Sequence, residues 1–411
     1  MLVGVIGAGA HGLAAADRLA RAGVEVVVLE REPLPGGLAA GFRVGEVWLE
    51  KFYHHLFGTD RDALALVHDL GLGERLVWRA AETSNFAGGR IYPFNGVLPV
   101  LRYDPLPFLD RVRLGLGVAY LKLERRPDRL APYAAAEWVR RWMGEAAYRA
   151  VWRPLLEAKF GSYAPEIAMP WLWARLHYRT VQLGYLRGGF QQLYDRLVAR
   201  VETADGGSYR FDQLIVTLPT RLFLKLCADL PDEYRARFGH ETAYGAHCFV
   251  LALDRPLMER TYWLSIIDPG FPFLAVVEHT NFLPASDYGG RHLVYLGNYL
   301  PMDHPLFRAE PAAALPEFLD ALRRINPAFR PEWVREWWAF GAPFAQPIVT
   351  RGYAERIPPH TTPFAGVYLA NMFQVYPQDR GQNYSIRLGQ RVAELALAAG
   401  RAAPAPLATR S

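Results

Sequence analysis

Residues 2–30 read LVGVIGAGAHGLAAADRLARAGVEVVVLE, an order of apolar, glycine and acidic residues that predicts a strand, a turn, a helix and a second strand. The apolar run from Leu2 to Ile6 is long enough for a buried strand and too short to span a membrane. The segment from Leu13 to Ala22 is typical of a helix, and Gly23 ends it because a residue just past a helix often adopts a left-handed conformation. Val24 to Leu29 predicts the second strand, with Glu30 at its end.

Three glycines stand in the turn between the first strand and the helix. Gly7 allows a tight turn, Gly9 leaves room for a pyrophosphate against the backbone, and Gly12 lets the helix pack closely on the strand. The helix N-terminus offers unpaired N–H groups and a partial positive charge to phosphates. Glu30, 18 positions after Gly12, can accept hydrogen bonds from ribose hydroxyls. The stretch therefore predicts dinucleotide binding; the alternative is an ordinary βαβ unit whose glycines serve packing alone.

The residues after Glu30 indicate which dinucleotide binds, because Glu30-Arg31-Glu32 is followed by the pair Gly36-Gly37 and by Leu38. This order resembles the FAD-binding start of the amine oxidase, protoporphyrinogen oxidase and phytoene desaturase superfamily. There the glycine pair lies against the pyrophosphate and is commonly followed by arginine, so no arginine–phosphate contact carries over to Leu38. The resemblance implies FAD as the cofactor. The residues predicted to bind it here are Gly7, Ala8, Gly9, Gly12, Glu30, Arg31, Gly36, Gly37 and Leu38.

Composition describes a globular protein with a large core. Half of the 411 residues are hydrophobic and 13% are aromatic, which excludes a disordered chain and makes two domains the natural expectation. The two cysteines form no CxxC motif, so a disulfide framework is not expected. The first strand begins at residue 2, which leaves no room for a signal peptide and predicts a cytoplasmic location. A net charge of +5 permits membrane-peripheral contact, and no nucleic-acid-binding signature is present.

A segment rich in histidine and aromatic residues follows, Glu50-Lys51-Phe52-Tyr53-His54-His55-Leu56-Phe57. In the resembled family the corresponding stretch passes beside the flavin ring, and it is also similar to a His-containing segment of UDP-galactopyranose mutases. The resemblance places Tyr53 and His54 at the cofactor. His54 and His55 are catalytic candidates, because imidazole can transfer protons near neutral pH. The alternative is a pair of packed histidines, one buried and one exposed.

From Pro105 to Tyr178 prolines interrupt helical segments, which predicts a helical cap. Its apolar segment Val112 to Leu123, flanked by arginines, could lie on a membrane surface, but we favour a core helix. Lys159 stands in an apolar setting, where a lowered pKa would make it a base and a third catalytic candidate. The favoured alternative is a salt bridge to Glu157 or another acid.

Two later blocks, residues 184–220 and 366–395, also resemble the superfamily. The first returns the chain to the FAD-binding part, and Val201 is its candidate for contacting adenine. The second ends in a helix whose N-terminus would point at the flavin ring. In the resembled superfamily a Gly-Asp pair after the strand contacts the ribityl chain of FAD. Asn371-Met372 stands at that place here, so Asp379 or Arg380 is expected to make the ribityl contact instead. The candidates from this block are Asp379, Arg380, Asn383, Tyr384 and Ile386.

These observations predict an α/β fold with a discontinuous, Rossmann-like FAD-binding domain. A second, substrate domain is predicted to consist of a helical cap and a mixed β-sheet. The predicted boundaries are 1–90, 184–245 and 341–397 for FAD binding, 91–183 and 246–340 for the substrate domain, and 398–411 for a loose tail.

The first functional hypothesis is an FAD-dependent oxidoreductase. Hydride would pass from an apolar substrate, isoprenoid or polycyclic, to flavin, and then electrons to oxygen or a quinone. The second is a flavin-dependent sugar mutase without net redox change, which would need converging arginines; the donors considered are Arg90, Arg187, Arg351 and Arg380. The third is a flavin-bound scaffold without catalysis.

Overall fold

The computed structural model describes residues 1–200, 202–203 and 209–402. The strands are β1 Leu2–Ile6, β2 Glu25–Leu29, β3 Gly41–Val44, β4 Val47–Glu50, β5 Leu56–Phe57, β6 Leu76–Ala80, β7 Glu82–Ala87, β8 Arg90–Pro93, β9 Gln182–Leu186, β10 Glu202–Thr203, β11 Gln213–Val216, β12 Ala243–Leu253, β13 Thr261–Ile266, β14 Ala275–Glu278, β15 His292–Leu300, β16 Val334–Pro347 and β17 Val367–Leu369. The helices are α1 Ala10–Ala20, α2 Arg61–Asp69, α3 Val97–Leu101, α4 Phe108–Leu123, α5 Ala135–Met143, α6 Glu145–Ala147, α7 Arg153–Phe160, α8 Met169–His177, α9 Gln191–Val198, α10 Thr220–Leu226, α11 Asp232–Phe238, α12 Pro311–Ile325 and α13 Gln382–Ala402.

A five-stranded parallel sheet in the order β10-β2-β1-β11-β17 forms the dinucleotide-binding part. β1 is central, and Val3 pairs with Val26 on one side and Gln213 on the other. α1 connects β1 to β2 and packs against α13 from the far end of the chain. Parallel strands need such crossover helices and are buried on both faces, which explains their nearly continuous apolar sequences. The predicted α/β fold class is confirmed.

A seven-stranded mixed sheet in the order β16-β12-β15-β14-β13-β7-β8 makes up the second part. Its neighbours are antiparallel except β13 and β7, which run parallel. β7 lies inside the predicted boundary of the FAD-binding part, residues 1–90, yet it pairs only in this second sheet. β7 belongs to the second sheet because it pairs with β13, about 180 residues later in the chain. A local sequence pattern cannot indicate so distant a partner. The domain boundaries stay a prediction.

The helical cap spans α3 to α8 and encloses a core of its own. Four tryptophans are buried in this core: Trp138, Trp152, Trp171 and Trp173. The prediction that the cap's apolar segment forms a core helix is wrong, because only Leu114, Gly117 and Leu121, on one side of α4, are buried. Among the described residues, no helix is both long and apolar enough to cross a bilayer.

Some elements differ from the sequence prediction. α1 begins at Ala10 and not at Leu13, because Gly9 is already the extended N-cap residue. β13 had not been predicted, although its buried Tyr262, Leu264 and Ile266 alternate as strand residues do. α13 continues to Ala402, past the start at 398 of the predicted tail, and residues 403–411 lie outside the described part.

Candidate functional site

The first part of the site is a turn at the carboxyl end of β1, the glycine turn (Gly7, Gly9, Gly12, Gly36, Gly37). Gly7 has φ +102° and donates its N–H to the carbonyl of Leu29 at 2.8 Å. Gly36 donates its N–H to the carbonyl of Ala8, also at 2.8 Å, and pairs with Gly9 in a parallel bridge. The glycine pair after β2 therefore lies directly on the turn after β1, so the two sequence motifs form one structure.

Gly12 and Gly9 are glycines for different reasons. A Cβ atom on Gly12 would lie 1.8 Å from the carbonyl oxygen of Gly7, so helix and strand could not pack as they do. A Cβ atom on Gly9 would meet nothing closer than the Cα of Gly37 at 4.0 Å, and the φ of −77° at Gly9 suits any residue. The protein itself does not require a glycine at this position. Space left open at the N-terminus of an eleven-residue helix, with no side-chain cap and no acid in its first turn, suits a diphosphate.

Glu30 lies beside this turn and organises it. One carboxylate oxygen accepts the N–H of Ala8 at 2.7 Å, and the other accepts those of Arg31 and Glu32 at 2.8 and 2.9 Å. Glu30 is solvent-exposed, so the remaining lone pairs of its carboxylate are open to a ribose hydroxyl. The side chain of Arg31 is 91% exposed and pairs with Glu32, so only its backbone belongs to the turn. Leu38 lies in a short 3₁₀ turn after the glycine pair.

The second part of the site is the charged cluster (Lys159, Arg175, Asp379, Arg380). Lys159 Nζ and Arg175 Nη1 both donate to Asp379 Oδ2, at 2.9 and 2.8 Å. Only 11% of the lysine side chain and 18% of the aspartate side chain are exposed. Glu157, the acid first considered for Lys159, pairs with Arg153 instead, so the favoured salt bridge exists with a different partner.

Electrostatics in this cluster follow from burial and an excess of positive charge. Burial lowers the pKa of Lys159 to about 7; Asp379 acts against this shift, and Arg175 and Arg380 add to it. Burial alone would raise the pKa of Asp379, but Lys159 and the two arginines hold it well below its usual range. The carboxylate is therefore charged near neutral pH, and the amine can both hold and release a proton there.

Arg380 completes the cluster from the loop before α13. Its guanidinium donates to Gln346 Oε1 at 2.8 Å and to the hydroxyl of Tyr299 at 2.6 Å. Its backbone N–H donates to Asp379 Oδ1 at 3.1 Å. These bonds tie the loop to strands β15 and β16 of the second sheet, so the cluster lies between that sheet and the cap.

The histidine segment is anchored by Glu50, which accepts the hydroxyl of Tyr185 and the N–H of Phe190, both at 2.6 Å. The ring of His54 bonds the carbonyl of Phe52 through Nδ1 at 2.6 Å. His55 packs against Phe57 and other aromatic rings, and its buried Nδ1 has no hydrogen-bond partner among the described residues. Both histidines are partly buried, so neither is the exposed member of a pair.

Burial lowers the pKa of His54 to about 4 and that of His55 to about 3, with nearby arginines adding to both shifts. Both imidazoles are therefore neutral at neutral pH, when they can accept or orient a proton but cannot act as strong acids. Tyr53 packs its ring against Trp263 and Tyr295, and burial raises its pKa well above the usual value.

The N-terminus of α13 presents side-chain amides. Asn383 accepts the N–H groups of Asp62 and Ala63 at 2.9 and 3.0 Å, while its Nδ2 is buried without a partner in the described structure. Gln382 accepts the hydroxyl of Tyr194 at 2.7 Å, and its Nε2 is also buried and unpartnered there. Two such donors at a helix N-terminus fit the oxygen and nitrogen acceptors of a flavin ring.

The remaining predicted residues have less direct roles. Tyr384 is partly buried beside Arg387 at the same helix end. The side chain of Ile386 is fully buried in the core, so only its backbone can face a ligand. Val201 lies outside the described residues, and its predicted adenine contact stays a prediction. Asn371 binds Leu218, Thr220 and Phe373, which leaves its side chain committed to the protein.

Of the four arginines proposed as diphosphate donors for a mutase, only Arg380 lies in the cluster. Arg187 pairs with Asp287, and Arg90 and Arg351 are exposed. The structure supplies Arg175 instead, together with partly buried Arg179, whose pKa burial lowers to about 10.

Sequence reasoning missed Arg175 and Gln382. Nothing in the sequence around Arg175 distinguishes it from the other arginines of the cap, because its partner Asp379 lies 204 positions away. Gln382 stands next to the predicted Asn383 at a helix start, and a polar side chain at that place was the available signal.

Both ends of the site fit FAD. The glycine turn with Glu30 suits the diphosphate and ribose, and the amides of Gln382 and Asn383 with the charged cluster suit the ring.

Comparison with known proteins agrees with this geometry. Residues 12–202 match the family model of flavin-containing amine oxidoreductases. A 15-cis-phytoene desaturase from Synechococcus elongatus is 30% identical over 157 residues, which cover 34% of this chain and 33% of that protein. The chain thus spans about a third of the length of that curated relative.

Solved structures are similar over nearly the whole chain. A candidate protoporphyrinogen oxidase from Exiguobacterium sp. 255-15 is 17% identical with a TM-score of 0.75, covering 97% of this chain and 99% of that one. A reduced UDP-galactopyranose mutase is 16% identical, also with a TM-score of 0.75, covering 96% and 95%. At sequence identities this low, the similarity to these structures shows a shared fold alone. The resemblance to the superfamily and the cofactor FAD are confirmed at the level of the family match over residues 12–202.

Proposed function

We propose that this chain is an oxidoreductase of the flavin-containing amine oxidoreductase type that takes a hydride from an apolar organic substrate, isoprenoid or polycyclic. FAD, when bound, accepts the hydride and passes the electrons to oxygen or a quinone. The chain's own residues bind and orient the cofactor, exclude water and hold a proton beside the reacting atoms.

The charged cluster carries this proposal. Lys159 and Arg175 pair with the carboxylate of Asp379, and the nearby charge of Arg380 also lowers the pKa of that carboxylate. This group lies next to the N-terminus of α13, where the resembled superfamily has its flavin ring. The excess positive charge and the helix N-terminus both favour negative charge on a group placed there. Arg175 and Arg380 then belong to the cofactor end of the site and not to the substrate-binding part.

Lys159 is the candidate proton carrier. Its pKa of about 7 lets the amine lose its proton in the neutral range, and Asp379 holds it in place at 2.9 Å. His54 and His55, neutral in the same range, are suited to orienting groups through hydrogen bonds.

Aromatic side chains around Lys159 support an apolar substrate. Its ammonium lies 5.4 Å from the ring centre of Trp171 and 5.2 Å from that of Tyr299. Tyr53, within the histidine segment, packs edge to face on Trp263 with ring centres 4.7 Å apart. Such surfaces favour apolar molecules and lower the local dielectric, which strengthens the electrostatics of the cluster.

A flavin-dependent mutase acting on a nucleotide- or lipid-linked sugar is the alternative. It is supported by the fold likeness to UDP-galactopyranose mutase and by Arg175, Arg179 and Arg380, which could hold a diphosphate. The two reactions differ in net redox change. A mutase leaves the flavin in its starting state, whereas an oxidoreductase bleaches it when no electron acceptor is present.

The test is anaerobic mixing of the FAD-loaded protein with soluble isoprenoid and polycyclic compounds, followed by flavin absorbance. We expect net bleaching whose rate rises as pH increases through about 7, where Lys159 loses its proton. Lys159→Met should remove that pH dependence, while Lys225→Met, an exposed lysine on α10, should keep it. Absence of bleaching with every compound, together with conversion of a sugar nucleotide by the reduced protein, would establish the mutase instead.

A further inference from the structure

α4 has two apolar faces, and only one is covered. Leu114, Gly117 and Leu121 face the cap core. On the opposite side Leu109, Leu116 and Leu123 are 80%, 67% and 79% exposed. Val112 and Tyr120 continue the same stripe at helical spacing of three and four residues, and both are exposed. These five residues are called here the outer face of α4.

The apolar surface continues onto the preceding helix. α3 packs against α4, and its Val97 and Leu98 are exposed, as is Phe108 at the start of α4. No described residue covers these side chains. Isolated exposed apolar residues are normal, but a contiguous patch of this kind marks an interaction surface.

Basic residues border this patch. Residues 91–130 hold seven basic and four acidic side chains, and Arg102, Arg113, Arg125 and Arg126 are exposed. A second copy of this chain would bring the same positive border against itself, which opposes a symmetric dimer. An anionic lipid surface complements both the charge and the apolar stripe.

We propose that the outer face of α4, with the exposed residues of α3, binds the surface of an anionic lipid bilayer without crossing it. The inner face of α4 packs on α8, the helix that carries Arg175. Trp173 on α8 donates its indole N–H to the carbonyl of Glu124 at 2.9 Å, just past the end of α4. A bilayer bound there would lie one helix layer away from the charged cluster.

The test is co-sedimentation of the full chain with vesicles of phosphatidylcholine containing phosphatidylglycerol, and with vesicles of phosphatidylcholine alone. We expect binding to the mixed vesicles that weakens with added salt. The triple variant Leu109→Ser, Leu116→Ser, Leu123→Ser should lower the partition coefficient by roughly 100-fold. The control triple variant replaces Val181, Leu226 and Leu395, exposed residues elsewhere, with serine and should bind as the unmodified chain does.

Equal binding of the two triple variants would overturn the proposal, as would equal binding to both kinds of vesicle. A chain that ignores vesicles but forms a dimer, which the α4 variant converts to a monomer, would identify a second copy as the partner and also overturn it. The readout needs neither bound FAD nor turnover, so its failure is distinguishable from failure of the proposed function.

Discussion

The glycine turn and the charged cluster bind opposite ends of one cofactor in our proposal, but they are built in opposite ways. The glycine turn comes from residues 7–37, uses backbone N–H groups and gains from missing side chains. The charged cluster gathers long side chains from α7, α8 and the loop before α13, residues more than 200 positions apart. One end is formed locally in the sequence, and the other exists only in the folded protein.

The two ends of the site are therefore sensitive to different kinds of substitution. Backbone donors at the glycine turn cannot be mutated away, so only added volume can disturb them. Buried charges in the cluster depend on every partner, because removal of one leaves the others unpaired in a medium that solvates them poorly.

Valine at two glycines should separate binding from folding. Gly9→Val should lower FAD affinity by roughly 100-fold or more, about 3 kcal/mol, while the protein keeps its unfolding midpoint. Gly12→Val should cost about 3 kcal/mol of stability or more, because its Cβ would lie 1.8 Å from the Gly7 carbonyl oxygen. Flavin content after purification and urea unfolding measure the two effects. A Gly9→Val protein that purifies as yellow as the unmodified chain would contradict the turn as the diphosphate site.

Asp379→Asn should destabilise the ring end of the site. The change removes the carboxylate that pairs with Lys159 and Arg175 and leaves their charges unbalanced beside Arg380. Breaking such a buried pair costs about 3–5 kcal/mol. The pKa of Lys159 should also move further down. Urea unfolding at neutral pH measures the loss. Glu145→Gln is the control, since it breaks exposed pairs with Arg140 and Arg149 and should change the free energy of unfolding by less than about 1 kcal/mol.

Low pH should lower the stability of the folded protein, because the buried histidines near the charged cluster are neutral in the folded state. The pKa of His55 is about 3 in the folded protein, below the ordinary value of 6.5, so the folded state binds fewer protons than the unfolded state. Its contribution to stability is complete above pH 6.5 and is lost as pH falls toward 3. His55→Phe should therefore reduce the loss of stability between pH 8 and pH 5 by about 1–2 kcal/mol. An identical effect of His240→Phe, an exposed residue, would contradict this assignment.

Arg31→Ala should have the smallest effect. The arginine side chain points to solvent and Glu32, and only its backbone N–H contributes to the turn by bonding Glu30. FAD affinity should change by less than about twofold, since an exposed ion pair of this kind contributes little. Titration of the FAD-free protein with FAD measures it. A tenfold loss would restore the side chain as a direct cofactor ligand.

Much of the glycine turn was predictable. The strand, the glycines, the helix and Glu30 lie within residues 2–37, and their spacing alone indicates their contacts. The cluster was predictable only in fragments. Lys159, Asp379 and Arg380 were singled out separately, but not as partners of one another. Arg175 was not predicted, because ion pairs between residues 204 and 220 positions apart leave no local sequence pattern.

The outer face of α4 shows the same limit. Its apolar sequence was compatible with burial on all sides, and only the packing of the cap left Leu109, Leu116 and Leu123 exposed. Hydrophobic periodicity indicates which residues share a helix face, but it cannot say which faces find partners.

Local sequence patterns were enough to predict the crossover at the N-terminus, the α/β class and the glycine turn, because backbone geometry and glycine conformations act over a few residues. Only long-range packing determines which acid forms the ion pair with Lys159, which strands pair with β7 and which side of α4 is solvent-exposed. Those outcomes depend on contacts between segments far apart in the chain, whose free energy is gained only when the whole molecule has folded.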